Sequence, residues 1–474
     1  MILGLGFNLF AQNTFELLFD SPYAKSALYV IENSKGQYVV VGAEASNIDG
    51  IGRNKIWKIT SQGDTSTYSI DLGIKQSSFH YIENNTDSTY FIVGFAGDTS
   101  NVLLSNELLV IETDTLFNTI WIKSYLINEV LFHYDVRVLK DGFGYYVLGG
   151  HAKTNPSVRY PFFYRVNMVG DTLRTCLFNT FGGMNPVFDA MFSPDSSKIW
   201  WFSATSPSTL GRRTRREIDT IFSFLGEDTL QLRIVSNINV KTVSDTTFYL
   251  SCNYRVNDDP QDEDIGIFLF NNSLETLYFN HFGAIDTVDY PGNLLAIDFI
   301  TPDSLFFVGM INVFAYPVEE PSWIIYGQVA HNLQPRFVRI YGGDKFYRPM
   351  HILTTKDGGC LINSQVYDPA LGIYYFLILK LNAEGLLVGQ EEKSMPLKSA
   401  IIYPNPAHDK LNIFFMQKNG SLKIFDLTGR IIYFQDIFKG LNTLKIDRFR
   451  SGIYFYSIVT QNSKEVETGK FVKY

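Results

Sequence analysis

The sequence predicts an all-β chain, with a large body of repeated four-stranded sheets and a small β-sandwich at the C-terminus. Three observations predict it. Phe 39, Tyr 28 and Trp 5 bring the aromatic share to 15% while charged residues are only 19%, and such side chains suit the half-buried pleated surface of a strand. The apolar stretches are short and are broken by Asn, Asp, Ser, Thr and Gly, the residues that make turns. A polar turn followed by an apolar strand recurs through residues 35–363. A hydrophobic share of 46% over 474 residues excludes disorder and allows a large repeat domain with an appendage.

The first element is an apolar run, Met1–Gln12, ending in a small residue as the core and cleavage site of a secretory signal do. Residues 1–11 are read as a truncated signal peptide, with cleavage after Ala11. The basic residues that precede such a core are missing, so the alternatives are a start further upstream or a buried strand. No later segment reaches the ~20 apolar residues that span a bilayer.

The body, residues 12–390, repeats. Its turn and strand read Lys35-Gly36-Gln37 into Tyr38–Gly42, Asp87-Ser88 into Phe91–Gly94, and Asp141-Gly142 into Tyr145–Gly149. They continue as Asp195-Ser196 into Ile199–Ser203, Asp245-Thr246 into Phe248–Ser251, Asp303-Ser304 into Phe306–Gly309, and Asp357-Gly358-Gly359 into Cys360–Asn363. A second turn between strands keeps the same phase at Gly63, Gly170, Gly226 and Gly385. Four short strands per unit of roughly 50 residues, repeated seven times, is the pattern of a seven-bladed β-propeller. A single such sheet cannot bury both faces, and radial stacking covers them.

A closed ring must join its ends, because an open one exposes sheet edges and an apolar face. Thr14–Phe19 matches the outermost strands of other units but has no unit of its own. It is expected to pair beside Tyr374–Leu381, the alternative being that Leu386–Gly389 fills that place.

Charge divides the chain at residue 400: the tail carries 11 Lys+Arg against 6 Asp+Glu, leaving a net −13 on the body. Such a body repels a phosphate backbone, so nucleic acid is not an expected partner. The basic run Arg212–Arg216, an anion site or protease-sensitive loop as alternatives, is read as a solvated loop. Cys176, Cys252 and Cys360 are widely spaced with no C-x-x-C pair and are read as buried free thiols, neither a disulfide framework nor a zinc site.

Chemistry-bearing residues in the body are few. His80, His133 and His351 stand near the starts of first strands, which line the channel of a propeller, and could converge at its mouth as a metal or general-base site. Polar lining of a wet channel is the favoured reading, since no carboxylate recurs to orient the rings. Asp258, Asp259, Asp262 and Asp264 crowd one loop that lacks the glycine spacing of an EF-hand; calcium is one reading, a solvated self-repelling loop the favoured one. The pairs Asp64-Thr65, Asp114-Thr115, Asp171-Thr172 and Asp228-Thr229 are read as turn caps. No catalytic residue is assigned and no cofactor is expected, because phosphate loops, G-x-S-x-G and H-E-x-x-H are absent.

A linker, residues 391–399, precedes the tail at 400–474. There Tyr403-Pro404-Asn405-Pro406, Asp409, Leu411, Phe425-Asp426-Leu427-Thr428-Gly429-Arg430, Ser451-Gly452-Ile453-Tyr454-Phe455 and Gly469-Lys470-Phe471-Val472-Lys473 follow one another. Together they resemble the type A C-terminal sorting domain of the type IX secretion system of Bacteroidota. The resemblance implies a small immunoglobulin-like sandwich, entry into the periplasm by a Sec signal, transport across the outer membrane by the type IX machinery, and a surface-attached or released cargo. Local reading agrees on strands at Leu411–Phe415, Leu422–Asp426, Ile431–Gln435, Asn442–Ile446, Tyr454–Thr460 and Lys470–Lys473, with Gly429 and Gly452 in tight turns.

For the cargo, the leading expectation is a binding module for a glycan or protein, using loop aromatics such as Tyr160-Pro161-Phe162 and Phe314-Ala315-Tyr316-Pro317. The alternatives are an extracellular polysaccharide- or peptide-processing enzyme with a site at the channel mouth, and a structural component of the cell surface.

Overall fold

The computed structural model describes residues 14–20, 23–45, 51–73, 75–97, 107–126, 132–152, 159–178, 187–204, 213–230, 233–256, 262–284, 288–312, 322–369, 372–387, 400–403, 407–460 and 466–474. The leader Met1–Gln12, the linker 391–399, Asp258, Asp259 and Phe314–Pro317 lie outside them. Among the described residues no helix is long and apolar enough to cross a membrane.

The body is a succession of antiparallel sheets. The first is built from Ala24–Glu32, Tyr38–Ala45, Gly52–Ile59 and Thr65–Tyr68, paired in chain order. The next four repeat this from Gln76–Thr86, Phe132–Asp141, Asp189–Phe192 and Asn239–Ser244 as first strands. In the sixth the first strand is split into Tyr290–Pro291 and Ile297–Asp298. The seventh starts at Phe346–Thr354 and continues with Cys360–Asp368 and Ile373–Leu381. Each first strand packs on the next one round the axis, and the first sheet closes on the seventh, giving a propeller-like arrangement. Buried Val, Ile, Leu and aromatic side chains fill the gaps between successive sheets. The fourth strands, such as Thr119–Leu126 and Phe224–Thr229, face solvent.

The seventh sheet takes its outer strand from the other end of the chain. Phe15–Leu18 pairs antiparallel with Ile373–Leu381, with Phe15 opposite Lys380 and Leu18 opposite Leu377. Phe15, Leu17 and Phe19 join Ala27, Trp57, Leu361 and Phe376 in one core shared by the first and last sheets. Leu386 instead closes a turn, accepting the Asn382 amide at 3.0 Å.

One turn recurs between third and fourth strands. Its fourth residue has positive φ in all of Gly63, Phe117, Gly170, Phe222, Leu274, Leu333 and Gly385. In Asp114, Asn167, Asp219, Asn271 and Asn382 the side-chain oxygen accepts the amides two and four residues on, which offsets the strain of a left-handed non-glycine residue. The fourth-unit equivalent is thus Phe222, and Gly226, which sequence spacing selects, lies within the strand Phe224–Thr229. Asp114 caps as expected, whereas Asp228 is a strand residue paired with Arg215.

The recurring glycine at the end of the second strand also has a steric cause. First strands bulge between Ala27 and Tyr29 and between Phe79 and Tyr81, and the bulge presses on the neighbour. A Cβ on Gly42 would stand 1.8 Å from the Ser26 carbonyl oxygen, and one on Gly94 2.3 Å from that of Ser78.

The basic run is not a solvated loop. Arg213–Asp219 is the third strand of the fourth sheet, and Arg213, Arg215 and Arg216 are buried. Arg215 donates to Asp228 at 2.6 Å and Arg216 to Glu227 at 2.9 Å, while their guanidinium groups lie over Trp200 and Trp201. Charge alone does not keep a residue outside when the flanking strands supply carboxylates and indole faces. Pro161 and Phe162 are likewise buried in a strand rather than exposed in a loop. Cys252 and Cys360 are buried free thiols, pushed up by burial, Cys360 to about 12; Cys176 is only half-buried.

The tail forms one five-stranded sheet with its own core. The paired short strands expected at 411–426 and 431–446 merge into the long strands Lys410–Phe425 and Ile431–Lys445. The half of Lys410–Phe425 near its start pairs with Ala400–Tyr403, and the half near its end with Gly452–Thr460.

Candidate functional site

The first strands bring polar side chains together along the common axis. Tyr29 lies 4.7 Å from the ring of Tyr81 and 4.5 Å from that of His351. Tyr81 donates to Glu83 at 2.9 Å. Arg137 of the third sheet donates through Nε to Asp189 of the fourth at 3.0 Å, and Asp189 also accepts the Val240 amide of the fifth at 2.8 Å. Lys241 of the fifth is paired with Asp298 of the sixth. Asp298 in turn accepts the amide and hydroxyl of Thr354 in the seventh, both at 2.7 Å. Each carboxylate therefore joins a cation on one side to a backbone donor on the other, and the sheets are stapled at their inner edges.

Burial sets the protonation states. It pushes the Tyr29 and Tyr81 phenols far above their ordinary range, and raises the Asp189 carboxyl against the pull of Arg137 and two backbone amides. His351 is 1% exposed. Burial, then the nearby charges of Lys241 and Arg137, lower it to about 3, so it is neutral at physiological pH. Neither ring nitrogen has a hydrogen-bond partner among the described residues. Its backbone is bracketed by residues 293–295 of the split sixth-sheet strand, with Ile352 donating to the Leu295 carbonyl at 2.9 Å. Lys241 keeps 33% of its side chain exposed, and burial of its ammonium group lowers it to about 8.

The three histidines have different surroundings. His351 packs on Tyr29, whereas His80 is the bulge residue of its strand, 2.8 Å from Ser78 Oγ and 4.8 Å from the ring of Phe95. His133 stands opposite His151 in the register of the third sheet. Sequence reasoning missed Tyr29, Tyr81, Arg137, Asp189, Lys241 and Asp298. Their signal was a polar or aromatic residue recurring near the repeat length within apolar first strands.

Of the acidic loop, Asp262 and Asp264 are described and are buried rather than solvated. Asp264 is 2.5 Å from His281 Nδ1, and Glu263 between them pairs with Arg255 at 3.0 Å. Among the described residues no three His, Cys, Asp or Glu side chains are grouped to hold a metal ion.

In the tail, Asp426, Gly429 and Arg430 form the same turn that recurs in the body. Asp426 Oδ1 accepts the Thr428 amide at 3.0 Å and the Arg430 amide at 3.1 Å, and Gly429 has φ 80°. Arg430 returns to Asp426 through Nε at 3.1 Å. Tyr454 donates to the Arg450 carbonyl at 2.6 Å and stacks on Phe471. Lys470 is exposed opposite Phe455. Tyr403 ends a strand, and Pro404, Asn405 and Pro406 lie outside the described residues. Gly452 has the positive φ expected of it, 156°, which side-chain-bearing residues rarely adopt, and it stands at the first position of a strand.

Residues 401–473 match the family described as secretion system C-terminal sorting domain, and the tail is a type IX sorting domain. No curated protein matches the chain in sequence. Among solved structures, the chain is similar to the β-propeller domain of the Trilobed protease from Pyrococcus furiosus, at 8% identity and TM-score 0.43, covering 78% of this chain and 99% of that one. It is similar to the WD40 domain of SCAP from fission yeast at 10% identity and TM-score 0.35, covering 86% and 94%. It is also similar to PorZ, a surface component of the type IX secretion system of Porphyromonas gingivalis, at 9% identity and TM-score 0.19, covering 97% and 100%. At such scores none of the three speaks to what this chain does.

Proposed function

We propose that the body is a seven-bladed β-propeller serving as a binding module for a glycan or protein, delivered to the cell surface or the medium by its type IX sorting tail. On this reading the leader 1–11 directs entry to the periplasm, and the tail is a small immunoglobulin-like sandwich.

The observation that carries the reading is an asymmetry between the two ends of the sheets. At one end the connections are short: 33–37, 87–88, 142–143, 193–197, 245–246, 299–304 and 355–359 between first and second strands, and the recurring capped turn between third and fourth. At the other end the second and third strands of the first six sheets are joined by 46–51, 98–106, 153–159, 205–212, 256–262 and 312–322, and those of the seventh by the shorter 369–372. A rigid scaffold with its long connections gathered on one face is how binding surfaces are commonly built. The aromatics Phe314 and Tyr316 fall in the longest of these connections. The axial ions Arg137, Asp189, Lys241 and Asp298 are paired across sheets, which suits cohesion of the ring better than catalysis.

The test is a glycan array and a peptide panel probed with the full chain and with a variant in which 313–321 is replaced by a Gly-Ser linker. Binding lost in that variant, and retained when turn residues at the opposite end are changed, supports the reading. A polysaccharide or peptide hydrolysed by the purified protein would replace it with the enzyme alternative.

A further inference from the structure

A cavity of about 330 Å³ opens at the junction of the first and seventh sheets. We propose that it binds the carboxylate-bearing ring of an acidic glycan, a uronate, an assignment that rests on the binding-module reading and gives it a site. Its lining comes from both ends of the repeat: Lys25 and Ser26 from the first sheet, Phe346, Arg348, Gln365 and Tyr374 from the seventh.

Charge points to an anion. Lys25 is 3.7 Å from Glu44, but Glu44 also has Lys55 at 3.4 Å, so one carboxylate serves two ammonium groups. Arg348 is exposed, and its Nη2 donates to the neutral Asn293 side chain at 3.2 Å. The cavity therefore carries surplus positive charge on a body whose net charge is −13, and a guanidinium is suited to a planar carboxylate.

The remaining lining points to a sugar. Tyr374, half-buried, offers aromatic surface to the C–H face of a ring, with the buried Phe346 behind it, and a bare inorganic anion would leave that surface unused. Gln365 donates to Ser26 Oγ at 3.3 Å, and this long bond leaves amide and hydroxyl groups to read ring hydroxyls. The volume lies at the small end of the roughly 300–1,000 Å³ of ligand pockets, room for one substituted ring. The lining residues stand at the starts of first and third strands and the ends of second strands, the end of the sheets from which the second-to-third connections leave. A ligand reaching both Lys25 and Arg348 would tie the first sheet to the last, so binding should raise the melting temperature.

The experiment titrates the full chain with tri-galacturonate, with the neutral tri-galactose, and with a short peptide bearing a C-terminal carboxylate, following heat of binding and Tm. Tri-galacturonate is expected to bind, to raise Tm, to weaken with salt, and to exceed both other probes about tenfold or more. Arg348→Gln and Lys25→Gln should each weaken it about tenfold or more while the ligand-free Tm stays near the parent's. If either variant unfolds, salt dependence and the neutral-sugar comparison on the parent chain decide. No uronate binding, undiminished binding by both folded variants, or equal affinity for the peptide overturns the assignment. An array in which other glycans still bind leaves the binding role standing, and an array with no ligand overturns both.

Discussion

Trp121 occupies the space that a side chain on Gly170 would need: Cζ3 lies 2.4 Å from where its Cβ would stand. Gly170 is the left-handed residue of the recurring turn, and Trp121 belongs to the fourth strand of the preceding sheet. The same exchange occurs at Gly385, where Phe337 fills the space at 2.5 Å, while at Gly63 Phe15 comes only to ordinary contact at 3.4 Å. Where the turn residue is large, as Phe117, Phe222 and Leu333 are, it is itself buried between the sheets. One slot per junction is filled from one side or the other. Gly170→Ala should therefore cost about 2–4 kcal/mol, from positive φ and overpacking together. Gly226→Ala, with open space around it, should cost far less. Urea denaturation of the two variants checks this; equal stability would count against the slot.

Ring closure depends on the N-terminal strand. Phe19 stacks on Phe376 with centroids 4.3 Å apart, its amide donates to the Phe376 carbonyl at 2.9 Å, and Tyr341 donates to Glu16 at 2.7 Å. Removing residues 12–20 should cost several kcal/mol through lost ladder bonds and apolar burial, and Phe19→Ala alone about 2 kcal/mol. Thermal unfolding of the truncated chain at the parent's Tm would refute it.

His351 makes the body acid-sensitive. With a folded value of about 3 against an ordinary 6.5, the unfolded chain takes up a proton between pH 6.5 and 3 that the folded chain refuses. Stability therefore falls as pH drops through that window and changes no further through this group below it. Its contribution is on the order of 3–5 kcal/mol. His351→Leu should flatten the stability profile between pH 6 and 4 relative to the parent, measured by denaturant midpoints at each pH. Parallel profiles would show the ring to be protonated in the folded state.

Among the described residues the tail's core draws on Ala400 and residues that follow it. Deleting Pro396–Tyr474 should leave the body folded and hold it inside the outer membrane. Cell fractionation with a Tm measurement on the retained protein checks both halves, and normal surface display of the truncated chain would contradict it.

The periodic features were legible because they are local. An Asx-capped turn such as Asn167–Asp171, a continuous apolar strand such as Phe306–Gly309, and the Asp426–Arg430 turn of the sorting tail each carry their instructions within a few residues. Phe222 has no glycine to mark its positive φ, because the Asp219 side chain makes a phenylalanine tolerable there. The pairing of Phe15–Leu18 with the last sheet was also foreseeable, since one unit lacked an outer strand and the N-terminus had one to spare.

By itself, then, the sequence determined the all-β class, the repeat, the closing strand and the export tail, since each follows from a short-range pattern or from counting strands. Only the tertiary structure decided that Arg215 and Arg216 lie inside, that Arg137, Asp189, Lys241 and Asp298 link neighbouring sheets along the axis, and that Lys25 and Arg348 share one cavity. The physical reason is that these partners belong to different strands, most of them to different sheets, and Lys25 and Arg348 to opposite ends of the body. Their meeting depends on strand register and on closure of the ring, neither of which is written in the residues on either side of them.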